Sequence, residues 1–189
     1  MKRLFLSFMV LFITVCLGLI NAANADETSF NRHLGPFAEA SAGYTYGWAS
    51  GEIAGSDFAE GAAIGFGWSI GGGYMFKDWI GAEAGYLQFN PKVEADGYEP
   101  EVTVGGLYLT SRFNIPVKER FSVVLKAGVM SLSLSEDEYD DAVSTGAPFT
   151  GIGIGYALTE KIDLRAQFQG PNFIFIGAGV LSAAVTYHF

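Results

Sequence analysis

Residues 63–76 read AIGFGWSIGGGYMF. Ile64, Phe66, Trp68, Ile70, Tyr74 and Phe76 take the even positions, with Gly72 the one small residue among them. The odd positions from Gly65 to Met75 hold only glycine, serine or methionine. Large apolar residues alternating with small ones repeat every two positions, which is the period of a strand and not of a helix. After the short polar turn Lys77-Asp78-Trp79 the pattern resumes, with Ile80, Ala82, Ala84 and Tyr86 on one face against Gly81, Glu83 and Gly85 on the other.

The same alternation runs through the rest of the chain. Before it, Ala38, Ala40, Ala42, Tyr44, Tyr46 and Trp48 oppose Glu39, Ser41, Gly43 and Thr45. After it, Leu107, Leu109, Ser111, Phe113 and Ile115 oppose Tyr108, Thr110, Arg112 and Asn114, and Phe121, Val123, Leu125, Ala127 and Val129 oppose Val124, Lys126 and Gly128. Ile152, Ile154, Tyr156 and Leu158 oppose glycines, Ile162, Leu164, Ala166 and Phe168 oppose Asp163, Arg165, Gln167 and Gln169, and Leu181, Ala183, Val185, Tyr187 and Phe189 oppose Ser182, Ala184, Thr186 and His188. The expected strands are 37–48, 62–76, 80–90, 102–116, 121–134, 149–158, 162–170 and 177–189. Short turns near 77–79, 117–120 and 159–161 alternate with longer polar loops near 49–61, 91–101 and 135–148. VMSLSLS at 129–135 would turn Leu132 and Leu134 inward and so predicts a bulge, and GPNFIFIG at 170–177 is too apolar to assign as an ordinary loop.

Charge placement decides what lies outside. Glu39, Glu83, Arg112, Lys126, Asp163 and Arg165 all fall on the small, polar parity, and the large-apolar parity of the eight strands carries no charge. A soluble barrel would be apolar inside; this one is apolar outside, so its solvent is lipid. An Arg or Lys on the lipid face would cost roughly 2–4 kcal/mol at mid-membrane. Because lipid offers backbone groups no partner, the sheet must close. The fold expected is all-β: an eight-stranded antiparallel up-and-down transmembrane β-barrel with a polar, plugged lumen. Short turns belong to the periplasm and long loops to the exterior. Aromatics at the strand ends, among them Trp48, Phe66, Tyr86 and Phe168 above and Phe76, Trp79, Phe121 and Tyr156 below, suit interfacial girdles.

The chain has 189 residues, a net charge of −9 and a single cysteine. Residues 1–25 read as a secretory signal peptide: Lys2 and Arg3 precede an apolar core, and Ala23-Asn24-Ala25 supplies a small-x-small cleavage site. Cys16 lies within it, and Val15 before that cysteine argues against a lipoprotein site, so the mature chain holds no disulfide or Cys metal site. Residues 26–36 are expected to form an amino-terminal periplasmic segment and 37–189 the barrel, one domain.

GWSIGGGYMFKDWIGAEAGY (67–86), GLYLTSRFNIPVKERFSVVLKAGVM (106–130) and PFTGIGIGYALTEKIDLRAQFQ (148–169) resemble the transmembrane domain of the outer membrane protein A family. The terminal VTYHF resembles the signal read by the barrel assembly machinery, with Phe189 last and Tyr187 two before it. The likeness spans most of 37–189 and implies the outer membrane of a Gram-negative bacterium. The namesake's peptidoglycan-binding domain has no counterpart before Phe189, so tethering is not implied. The family's lumen gate, carried over by position, places Glu83 as the first glutamate, Arg165 as its partner, Arg112 as the lysine and Lys126 as a further cation. Gly155 stands where the second glutamate belongs. The resemblance therefore implies a Glu83–Arg165 pair, with Glu83 also serving Arg112, and weakens gating by partner exchange.

The six lumen charges balance, three against three. They fit a polar plug, since eight strands enclose an interior just wide enough for side chains; the competing reading is a narrow gated pore. The acidic excess lies instead in the loops: Glu52, Asp57 and Glu60; Glu94, Asp96, Glu99 and Glu101 with Lys92; and Glu136, Asp137, Glu138, Asp140 and Asp141. Such a crown suits a host or cell-surface partner, or lipopolysaccharide through divalent cations, beside the plainer reading of solvated, mutually repelling surfaces. The third loop lacks the spacing and glycine of a calcium loop, Gly71-Gly72-Gly73 is no phosphate loop, and the acidity disfavours nucleic acid. His33 and His188 are the only histidines and both belong to the periplasmic end, away from exterior serines. No catalytic residue, metal or cofactor is therefore expected. The function expected is structural and adhesive, through the acidic loops of a monomer contacting outer membrane lipid. The alternatives are the gated pore and a lipid A-modifying enzyme.

Overall fold

The computed structural model describes residues 34–48, 52–53, 56–57, 62–92, 102–136, 139–171 and 178–189. Residues 1–33, which include the expected signal peptide and His33, and the apolar stretch at 172–177 lie outside the described residues. The strands are β1 (Gly35–Trp48), β2 (Glu52–Ile53), β3 (Ser56–Asp57), β4 (Ala62–Lys77), β5 (Ile80–Lys92), β6 (Val102–Lys118), β7 (Phe121–Glu136), β8 (Tyr139–Ala157), β9 (Ile162–Pro171) and β10 (Ala178–His188). Eight of them close a barrel in the order β1-β10-β9-β8-β7-β6-β5-β4, while β2 and β3 pair only with each other. Closure is made by β1, which is antiparallel to β4 on one side and to β10 on the other.

Burial follows the alternation. Tyr44, Phe66, Ile70, Leu107, Leu109, Val129, Ile154 and Leu181 are exposed on the outer wall, whereas Glu39, Glu83, Arg112, Lys126, Asp163 and Arg165 are buried within. Ile115 is an exception. It was expected to face lipid but is 6% exposed, beside the register shift between Pro116 and Lys118. A proline is tolerated there because the ladder is already interrupted. A second shift lies between Met75 and Lys77, so two of the three short turns follow a bulge. The third is tied by Thr159, whose Oγ1 accepts from the amides of Lys161 (3.2 Å) and Ile162 (3.0 Å). Aromatic pairs ring this end: Trp79 on Phe113, Phe121 on Tyr156, and Tyr187 edge-on to Phe189. The amide of Phe189 donates to Pro36 O at 3.1 Å and fixes the chain end against β1.

Three sequence expectations change. β1 starts at Gly35, two residues before the expected boundary. The bulge expected across 129–135 is absent: β6 and β7 keep one register from Tyr108↔Met130 to Val104↔Leu134, and the shift falls beyond, between Leu134 and Glu136. Leu132 does turn inward, and it packs on a buried apolar cluster there. The expected loop at 135–148 is largely strand, because β7 runs to Glu136 and β8 starts at Tyr139.

The lipid face carries a direct expectation. Leu109 is exposed near the middle of β6, so Leu109→Lys should lower stability by about 2–4 kcal/mol. Urea titration of the protein in bilayers, followed by tryptophan fluorescence, measures this. A loss under 0.5 kcal/mol would contradict a lipid-facing Leu109.

Candidate functional site

The lumen is built from the inward parity, and glycine makes room for it. Register neighbours across the strands are Glu39↔Gly71, Glu83↔Gly73, Gly81↔Arg112, Lys126↔Gly151 and Gly155↔Arg165. Five of the six lumen charges thus have a glycine opposite, and Asp163 has Ala157. Each of these five side chains has a neighbour on one side with no side chain, which leaves it room to lie across the interior. The close approach is explicit at Gly73, where a Cβ would stand 2.0 Å from Ala82 O and 2.7 Å from the Phe37 ring. Gly71 and Gly73 stand opposite Glu39 and Glu83, and a Cβ at either would meet the facing backbone and the Tyr108 or Phe37 side chain.

Those charges converge on Glu39. Its Oε2 accepts from Arg165 Nη1 (2.8 Å), Arg112 Nη1 (3.1 Å) and Thr186 Oγ1 (2.9 Å). Its Oε1 accepts from Lys126 Nζ (2.7 Å) and Gln167 Nε2 (3.1 Å). Glu83, 1% exposed, receives Arg112 Nη1 at 3.1 Å, Lys126 Nζ at 2.8 Å and Tyr108 Oη at 2.8 Å. Arg112 and Lys126 therefore each bridge both glutamates, and Lys126 also donates to Gln169 Oε1 at 3.2 Å. Toward the end with the short turns, Arg165 Nη2 donates to Asp163 Oδ2 at 3.0 Å, and His188 Nε2 lies 3.1 Å from the same oxygen. The Arg112 guanidinium lies 4.3 Å from the centre of the Phe37 ring.

This arrangement corrects the expected pairing. Glu83 bonds Arg112 and Lys126, while Arg165 goes to Glu39 and Asp163. Positional carry-over assigned Glu39 no partner, because the gate residues were matched at other positions. Glu39 supplies the acceptor that Gly155 cannot, so Arg112 does not lack one. The available signal was Glu39's inward parity on the strand that closes the barrel.

Above the ionic layer the lumen turns apolar. Leu87, Phe89, Val104, Tyr108, Met130, Phe149 and Val180 form one buried cluster, with Leu132 packed against it. Tyr108 joins the layers: its ring stacks on Phe149 with centroids 4.7 Å apart and planes 9° apart, and its hydroxyl donates to Glu83. These apolar residues occupy the same parity as the charges, so the inward face is polar below and oily above. Of the acidic loop residues, Glu94, Asp96, Glu99, Glu101, Asp137 and Glu138 lie outside the described residues, and Glu136, Asp140 and Asp141 sit on the β7 and β8 backbone near its outer tip. Tyr187 and Phe189 face outward at the opposite end.

Comparison with known proteins gives the same architecture. The profile of the outer membrane protein beta-barrel domain matches residues 12–189. No curated protein matches the chain. Among solved structures, Neisserial surface protein A is 19% identical with a TM-score of 0.61, covering 82% of this chain and 97% of its own. OprG of Pseudomonas aeruginosa is 12% identical with a TM-score of 0.50, covering 85% and 99%. Ail, the attachment invasion locus protein of Yersinia pestis, is 15% identical with a TM-score of 0.44, covering 82% and 99%. At these identities the likeness is one of fold.

Proposed function

The chain belongs to the outer membrane protein beta-barrel domain family of Gram-negative outer membranes, and we propose that it is a non-enzymatic, non-conducting barrel that braces the membrane and presents acidic loops to a partner outside the cell. The observation that carries this reading is the double closure of the lumen. Arg112 and Glu83 are sealed within a neutral ionic layer, and Phe149, Leu87 and Val180 fill the space above it, each 0% exposed. An ion entering from outside would have to leave water for an apolar packing layer and then displace charge-assisted hydrogen bonds. The surface role draws on the acids of the second and third loops, for which a basic cell-surface or host partner is the complement. Lipid and lipopolysaccharide contact at the outer wall, insertion by the barrel assembly machinery through Tyr187 and Phe189, and a monomeric state complete the proposal.

Two measurements test it. Planar bilayers containing the full protein should stay silent. Stepwise conductance that changes in Glu39→Ala would favour the pore instead. Cells carrying the barrel with loops 2 and 3 trimmed should lose partner binding while keeping the heat-modifiable gel mobility of a folded barrel. Unchanged binding would remove the loops from the function. Lipid A altered by overexpression would favour the enzyme.

A further inference from the structure

Each short turn carries a lysine beside an acid. Lys77-Asp78 ends β4, Lys118-Glu119 ends β6, and Glu160-Lys161 lies between β8 and β9. The first two turns are built alike. Met75↔Gly81 is followed by Lys77↔Ile80, and Pro116↔Ser122 by Lys118↔Phe121, so the register skips one residue, Phe76 or Val117, just before each lysine. Strict alternation from the buried Met75 and Asn114 would turn both lysines inward. Two more cations would then enter a lumen whose charges already balance. The bulge breaks the alternation and re-aims the side chains. Lys77 and Lys118 are both exposed, and Lys77 Nζ stands 6.0 Å from the centre of the Trp79 ring.

Trp79 fixes the height of this rim. Its ring stacks on Phe113, and its carbonyl accepts from the Asn114 amide at 3.0 Å, so the turn is anchored to the β5–β6 ladder. Tyr74, Phe76, Trp79, Val117 and Phe121 are all exposed around the two lysines. An aromatic belt of this kind marks the boundary between hydrocarbon and headgroups. A lysine at that boundary lays its stem on apolar surface and presents its ammonium at the level of the lipid phosphates.

The charges beside the lysines select the occupant. Across the three turns Lys77, Lys118, Arg120 and Lys161 stand against Asp78, Glu119 and Glu160, so the rim has little net charge with which to draw a simple anion. A lysine and a carboxylate one residue apart match a headgroup that carries both signs. The carboxylate is satisfied best by a cation that can donate hydrogen bonds. We propose that the bulged turns bind zwitterionic phospholipid with a primary ammonium, its phosphate on Lys77 and its ammonium on Asp78, and that Lys118-Glu119 repeats the arrangement two strands away. The site rests on the lipid-contact part of the proposed function and gives that contact its chemistry.

The test uses the full chain with Trp48→Phe and Trp68→Phe, which leaves Trp79 as the one tryptophan. The protein is refolded into mixed bilayers in which one lipid at a time is brominated on its acyl chains, and quenching of Trp79 gives relative affinities. Phosphatidylethanolamine should bind beside Trp79 about fivefold more tightly than phosphatidylcholine, whose trimethylated ammonium has no N–H, or phosphatidylglycerol, which has no cation; this is the size of one charge contact at a membrane surface. Asp78→Asn should shift the preference to phosphatidylglycerol, Lys77→Gln should abolish it, and Lys77→Arg should keep it, with gel mobility confirming that each variant is folded. Equal binding of the ethanolamine and choline lipids would overturn the proposal. A preference for phosphatidylglycerol before any change at Asp78 would overturn it in favour of a plainly cationic rim. An ethanolamine preference that survives both Asp78→Asn and Lys77→Gln would overturn it by placing the selectivity outside the turn. In each of these cases Trp79 is still quenched and lipid contact stands, whereas a Trp79 that no brominated lipid quenches would remove the contact itself and the site with it.

Discussion

Glu39→Gln is expected to lower the unfolding free energy by about 3–5 kcal/mol, the range seen when one partner of a buried ion network is removed. The side chain keeps its size, so little packing changes. What changes is charge: Arg112, Lys126 and Arg165 would share only Glu83 and Asp163, leaving one cation uncompensated inside a closed lumen. Five donors converge on the two Glu39 oxygens. The glutamine has one oxygen to offer and turns an NH2 toward some of those donors. Glu83→Gln should cost less, since Arg112 and Lys126 each retain Glu39. Glu160→Gln, in an exposed turn, should stay within about 0.5 kcal/mol. The decisive comparison is Glu39→Gln combined with Lys126→Met, which restores neutrality. Urea unfolding in bilayers should then recover more than 1 kcal/mol of the loss expected from adding the single variants. If the single substitution costs under 1 kcal/mol, Glu39 is not the hub that the geometry describes.

How much of this was legible follows from what period 2 can and cannot encode. Alternation specifies a face for every strand residue, so the barrel and the inward position of all six charges could be read from residues 63–76 outward. It does not specify which inward residues meet. That depends on strand stagger around a closed sheet, and Arg165 reaches β1 instead of β5 because β10 and β9 bring it beside Glu39. The expectation of a bulge that is absent has the same origin. VMSLSLS looked irregular because inward leucines conflict with a wholly polar lumen, but the lumen is apolar at that height, so regular register buries Leu132 without strain. Leu87, Phe89, Phe149 and Val180 already stood on the inward parity and would have shown the oily layer. The outer half of β8 could not be seen for a different reason. Above the membrane neither sheet face is forced to be apolar, so strand 139–148 loses the alternation that marks strands and reads as a loop.

The apolar layer yields the second large effect. Phe149 is fully buried and stacked on Tyr108, so Phe149→Ala should cost about 3–5 kcal/mol, the transfer term plus a cavity that stiff strands cannot close. Phe149→Leu, which keeps most of the volume, should cost under half of that. Tyr108→Phe isolates the other end of the stack: it leaves the ring in place and removes only the hydroxyl that donates to Glu83. A deficit of about 1.5–3 kcal/mol is expected, in the range for a hydrogen bond to a charged group. The functional consequence separates the two layers. Emptying the upper layer by Phe149→Ala should leave planar bilayers silent, because the ionic layer still closes the lumen beneath it. Glu39→Gln alone should be silent too, because the apolar layer remains. Only the double variant, refolded and checked by gel mobility, should pass ions. Conduction through either single variant would mean that one layer does all the sealing, and silence in the folded double variant would mean that the lumen is closed by something other than these two layers.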